Sequence, residues 1–162
     1  MVYDCVELGA DRLIIEIDEE PFNDLLTVTI TNNINRQTAH NSSHKPSSVI
    51  PLLRQVCDRC EGRLVIDHTD SGSRLTASMR YSHADRPPMG SMPGLIQEII
   101  MSEPHVDISY THRYNGREYR ISTLIIHSML DGVPMDTPSV SPWMKEMIGE
   151  GLARIMQGKD LP

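Results

Sequence analysis

The stretch VIPLLRQVCDRCEGRLVIDHTDSGSRLTASMRYS, Val49 to Ser82, decides how the rest of the chain is read. Val49, Leu52, Leu53, Val56, Cys57 and Cys60 fall at i, i+3, i+4, i+7, i+8 and i+11, the stripe of an amphipathic helix. Glu61-Gly62 ends that helix, with Gly62 expected at the left-handed position that helix ends favour. Leu64, Val65 and Ile66 then read as a strand, Asp70 to Ser73 as a turn, and Leu75 to Ser82 as a second strand. In that second strand Leu75, Ala77, Met79 and Tyr81 alternate with Thr76, Ser78, Arg80 and Ser82, so one face is buried and the other is wet. A helix leading into such a hairpin lays its apolar stripe across the sheet.

Upstream, Met1 to Ala10 reads as the end of a helix closed by Gly9, a helix that at ordinary length would start before Met1. Leu13, Ile15 and Ile17 share one face of a strand from Asp11 to Asp18, and Glu19 to Asp24, with Pro21, reads as a turn whose paired acids Glu19 and Glu20 are solvated. Leu26, Val28 and Ile30 alternate with threonines in a half-buried partner strand, so the two are expected to form a hairpin. Asn32 to Ser48 is polar, lacks a hydrophobic period and contains Pro46; loops of that length are functional or disordered.

Downstream, His83 to Gly90 is a connector with Pro87-Pro88, and Ser91 caps a short helix whose stripe is Leu95, Ile96, Ile99 and Ile100. Asn115-Gly116 is the strongest hairpin signal in the chain and joins strands within 107–122. A short helix near Leu124 to Leu130 ends at Asp131-Gly132. Ser141-Pro142 opens a final helix, 142–157, in which Trp143, Met144, Met147, Ile148, Leu152, Ile155 and Met156 share a face. That face reads as core, with a docking surface as the alternative, because Met- and Trp-bearing faces suit partner binding.

A length of 162 residues supports one ordinary domain or a small domain with an extension, and 39% hydrophobic content is enough for a core. Aromatic content is only 4%, and ten methionines supply adaptable filler in its place. The net charge of −7, with no basic cluster to offset it, argues against a nucleic-acid partner. No apolar run reaches membrane-spanning length, and no secretory signal is visible, so the expectation is a cytoplasmic protein away from the membrane. Three cysteines do not make a disulfide framework.

Several short motifs, in this order of elements, resemble the GHKL, or histidine-kinase-like, ATP-binding family, and within it a group of small bacterial ATP-binding proteins. Glu7 to Asp11 with Leu13 to Ile17 is similar to the end of the family's first helix and its next strand. Leu26 to Asn33 resembles the strand that delivers the adenine-reading motif, and Pro51 through Gly72 resembles the last helix and hairpin. Ser82-His83-Ala84-Asp85-Arg86-Pro87-Pro88-Met89-Gly90 resembles a signature of the smaller group. The resemblance implies an α+β fold, a two-layer α/β sandwich over residues 1–82, with a small α+β C-terminal extension over 83–162. It also implies a nucleotide site at Asp4, Asn32, Asn33, Lys45, Gly72 and Ser73, and partners in redox, hydrogenase or signalling machinery.

The departures are as informative. Tyr3 stands where the family has the glutamate that activates water, and tyrosine is a poor base at neutral pH. Asp4 stands where an asparagine holds Mg²⁺ and could still ligate that cation. Asn32 replaces the adenine-reading aspartate, and Ile34 and Arg36 replace glycines, which blocks close approach of backbone to nucleotide. Between Ile34 and Glu61 there is no glycine, although a phosphate cradle needs N–H groups in conformations that glycine permits. Lys45 could still attract an anion, and Gly72-Ser73 matches the pair that contacts adenine. The expectation is a non-catalytic module acting by protein–protein contact or as a homo-oligomer, without a cofactor. The rival is an ATP- and Mg²⁺-binding protein with weak ATPase or kinase activity.

Cys57 and Cys60, at i and i+3 on a helix, could share a metal or a disulfide, with Cys5 as a third ligand. Both also lie on the apolar stripe, where free cysteine behaves as a small hydrophobe. His40 and His44 read as solvated loop residues or, if helical, as a metal pair; His68, His83 and His112 read as satisfied polar residues.

Overall fold

The computed structural model describes residues 9–34, 49–69 and 71–158. Its elements run β1 (Arg12–Glu20), a 3₁₀ turn (Pro21–Asn23), β2 (Leu25–Asn32), α1 (Val49–Arg59), β3 (Arg63–Thr69), β4 (Gly72–Arg80), α2 (Met92–Ser102), β5 (Asp107–Tyr114), β6 (Arg117–Ser122), α3 (Thr123–Leu130) and α4 (Val140–Gln157). The fold is mixed α+β. One six-stranded sheet has the order β3-β4-β2-β1-β5-β6. All neighbours are antiparallel except β1 and β5, which run parallel with Arg12 beside Asp107 and Glu19 beside Tyr114. The 107–122 hairpin therefore extends the sheet begun by the N-terminal strands.

The strands form because their residues alternate as a half-covered sheet requires. Leu13, Ile15 and Ile17 of β1 are buried, as are Leu26 and Ile30 of β2, Leu75, Ala77 and Met79 of β4, and Ile108 and Tyr110 of β5. Buried residues of all four helices join these side chains, Ile30 aside, in one hydrophobic cluster. Ile96, Ile99 and Ile100 of α2 and Met144, Ile148, Leu152 and Ile155 of α4 carry most of the helical contribution. Full burial of side chains of this size stabilises by about 1.5–3 kcal/mol each. No helix among the described residues is long and apolar enough to cross a membrane.

The opposite face of the sheet carries the polar half of the alternation. Glu16, Asp18 and Glu20 stand out from β1, Thr27, Thr29 and Thr31 from β2, and Thr76 and Ser78 from β4. Ion pairs run across it: Arg74 to Glu16 at 3.5 Å, Glu16 to Arg113 at 3.4 Å, Arg113 to Glu118 at 2.9 Å and Glu118 to Arg120 at 2.5 Å.

Asn115 and Gly116 both take positive φ, 47° and 80°, as a two-residue hairpin turn demands. At the end of α1 the roles of Glu61 and Gly62 are exchanged relative to expectation. Glu61 takes the left-handed position, at φ 55°, and Gly62 is needed for contact: a Cβ there would lie 1.9 Å from the Ser78 carbonyl oxygen. The strand β1 also runs through Glu19 and Glu20, so the turn begins at Pro21. The last helix opens two residues earlier than Pro142, at Val140, and Met156 lies outside its buried stripe, 46% exposed. On α1, Val49 and Leu52 are likewise exposed, and the buried part of its stripe narrows to Cys57 and Cys60 just beyond its end. The helix end expected over Met1 to Ala10 lies mostly outside the described residues; Gly9 has the left-handed φ of 89°.

Candidate functional site

The C-terminal end of β2 and the N-terminal end of β4 bring three of the expected nucleotide residues together. Register pairs Asn32 with Ser73, and Asn32 Nδ2 donates to Ser73 Oγ at 2.9 Å. Asn32 Oδ1 accepts the Ile34 backbone N–H at 3.0 Å, and the residue is 8% exposed. Gly72 is required by close approach, because a Cβ would meet the Asn32 carbonyl oxygen at 2.1 Å. The two strand ends thus close onto each other.

Asn33 points elsewhere. Its Oδ1 accepts the Asp11 and Arg12 backbone N–H groups at 3.2 and 3.1 Å, and its Nδ2 donates to the Asp11 carboxylate. That side chain fastens the start of β1. Tyr3, Asp4, Cys5, His40, His44 and Lys45 lie outside the described residues.

Cys57 and Cys60 are fully buried free thiols within the hydrophobic cluster. Burial, followed by the nearby Asp58, pushes the Cys57 thiol above its ordinary range. Among the described residues no group of three potential ligands is placed to hold a metal ion.

A second polar constellation lies inside the core, and sequence reasoning misplaced its key residue. Glu19, expected as a solvated turn residue, is buried on the covered face of β1 at 4% exposure. Its Oε1 is 2.7 Å from His112 Nε2, and His112 Nδ1 is 2.6 Å from the Tyr110 hydroxyl. An ionised carboxylate only accepts, so Nε2 carries the proton that faces Glu19, and in the neutral ring Nδ1 takes the hydroxyl's. Burial pulls the Glu19 carboxyl upward, but the bond from His112, the nearby Tyr81 hydroxyl and the charge of Arg86 outweigh it and hold the group below its ordinary value. Burial pushes the Tyr110 hydroxyl far above its ordinary range. The signal was present: continuing the alternation of Leu13, Ile15 and Ile17 by one step puts position 19 on the inner face.

The Ser82–Gly90 run closes this network from outside. Arg86 Nε donates to the Tyr81 carbonyl at 2.6 Å, and its guanidinium stacks 4.8 Å over the Tyr81 ring. Asp24 accepts from the Ser82 N–H at 2.7 Å, the Ser82 hydroxyl at 3.0 Å and Arg80 Nε at 2.6 Å. The run is a structural clasp between the β1–β2 turn and β4.

Compared with models of protein families and with curated proteins, the chain matches none.

Proposed function

We propose that the chain is a non-catalytic module of histidine-kinase-like ATPase type that works through contact with other proteins. The supporting observation is the commitment of the two asparagines. Asn32 is buried and bonded to Ser73 and to the Ile34 N–H, while Asn33 is bonded to the start of β1. A base edge would have to displace these bonds, and a displaced buried amide costs about 1–3 kcal/mol per group left unsatisfied. Tyr3 in place of a catalytic carboxylate and the glycine-free run between Ile34 and Glu61 point the same way. The resemblance suggests redox or signalling machinery as the setting of such contacts.

The rival reading, a nucleotide-binding protein using Asp4, Lys45 and a divalent cation, draws on the convergence of Asn32, Gly72 and Ser73 at one sheet end. Thermal melting with and without Mg-ATP separates the two. Ligand at about 100 times its Kd adds roughly 2.7 kcal/mol to stability, and no such shift is expected. A clear rise in Tm that Asn32→Ala or Ser73→Ala abolishes would establish the nucleotide reading instead.

A further inference from the structure

Among the described residues the sheet has one face under helices and one face without them, and the second face has an unusual charge pattern for this chain. By strand alternation it presents Arg12, Arg63, Arg74, Arg80, Arg113 and Arg120. Against them stand Glu16, Asp18, Glu20, Asp67, Asp107 and Glu118. On the strands six cations stand against six anions, with Asp24 and Glu61 paired to Arg80 at one corner, so most of the net charge of −7 resides elsewhere in the chain. Two copies therefore repel less across this face than through the rest of their surfaces. Its basic residues are all arginine, the cation that interfaces favour over lysine because the guanidinium pairs flat and in more than one direction.

The face is also shaped for contact. Glu16 and Glu118 each bridge two arginines, which holds those side chains along the sheet. Threonine and serine fill the spaces between them. Phe22, the chain's one phenylalanine, projects from the β1–β2 turn 90% exposed, beside a groove of about 320 Å³ shared with Asp18, Glu20 and Arg113. A neighbouring groove of about 380 Å³ is lined by Leu25, Val65, Thr27, Thr76, Arg63 and Ser78. A projecting aromatic and a groove with Leu25 and Val65 in its lining, on one face, are the two halves of a self-complementary contact.

We propose that this open sheet face is an isologous docking surface for a second copy of the chain, each Phe22 seated in the Leu25–Val65 groove of the other. Six strands at about 4.8 Å spacing and about eight residues in length give a footprint of about 750 Å², the size that a stable interface needs from each partner. This goes beyond the reading of the Asn32 end and is separable from it, because it predicts association whether or not nucleotide is present.

Sedimentation equilibrium of the full chain, over about 1–100 µM, tests it. The expected result is a monomer–dimer equilibrium whose Kd rises at least about tenfold in Phe22→Ser and in Thr76→Glu, and stays unchanged in Leu124→Ser. Leu124 lies on α3, 75% exposed, and reports the competing apolar surface. Circular dichroism melting checks that each variant folds; Phe22→Ser alters a side chain with few contacts and keeps the test valid if Thr76→Glu does not fold. A monomer across the whole range overturns the proposal. So does a dimer that Leu124→Ser dissociates and Phe22→Ser leaves intact.

Discussion

Two tyrosines on adjacent strands should respond in opposite ways to the same substitution. Tyr119 has a buried hydroxyl without a hydrogen-bond partner among the described residues, and burial raises its pKa to about 12. Tyr110 has a buried hydroxyl bonded to His112 at 2.6 Å. Tyr119→Phe removes a hydroxyl without a partner among the described residues and is expected to leave stability unchanged or raise it, whereas Tyr110→Phe should cost about 1–3 kcal/mol. For a chain of this length that loss lowers Tm by about 2–4 °C per kcal/mol, which a thermal melt resolves. Glu19 makes a prediction in pH. Its folded pKa lies below the ordinary 4.5, so its contribution is fully present above that value and is lost as pH falls through the folded value. The urea midpoint of the native chain should therefore drop between about pH 6 and pH 3 more steeply than that of Glu19→Gln. Equal slopes would remove Glu19 from the acid response. Gly62→Ala, with its Cβ set 1.9 Å from a backbone oxygen, is expected to destabilise by about 1–3 kcal/mol or more, read in the same melt.

At the scale of elements, α1 packs against β3 and β4, with Cys57, and Cys60 just beyond its end, buried in the core beside the half-buried Ile50, Leu53 and Val56. Thiol labelling at those two positions, followed by peptide mass spectrometry, should be slow in the native state and fast in denaturant. Fast native labelling would mean that α1 detaches readily. The elements themselves were largely legible, because period-2 and period-3.6 patterns report burial directly: Leu75, Ala77 and Met79, or Ile96, Ile99 and Ile100, could face only inward. Element ends were less legible. Glu61 took the left-handed position because Gly62 was needed one step later for contact with Ser78, and no local rule announces a contact that crosses to another strand. Glu19 was misread for a related reason. Its charge and the nearby proline outweighed an alternation that already placed it inside, and its partner His112 lies 93 residues away.

At the scale of the molecule, the parallel pairing of β1 with β5 left no trace in any window of sequence, since a strand's period does not name its neighbour. Of the candidate site, the meeting of Asn32, Gly72 and Ser73 was legible through the resemblance, but the turning of Asn33 toward Asp11 was not. The pairing has a testable corollary. A fragment ending at Gly90 lacks β5, α2 and α4, so it bares one edge of β1 and much of the inner sheet face. Such a fragment should aggregate by light scattering, and the full chain should unfold in one transition. A monomeric, cooperatively folding fragment would instead show that the first half is self-sufficient.

The same pairing sets a clock during synthesis. Arg12 leaves the ribosome 95 residues before the Asp107 it will lie beside, an interval of about 5–20 s at ordinary elongation rates. Through that interval β1, with Leu13, Ile14, Ile15 and Ile17, has an unclaimed edge open to any passing strand. The carboxylates at Glu16, Asp18 and Glu20 on its outer side then act as gatekeepers for the nascent chain, repelling a second β1 until β5 arrives.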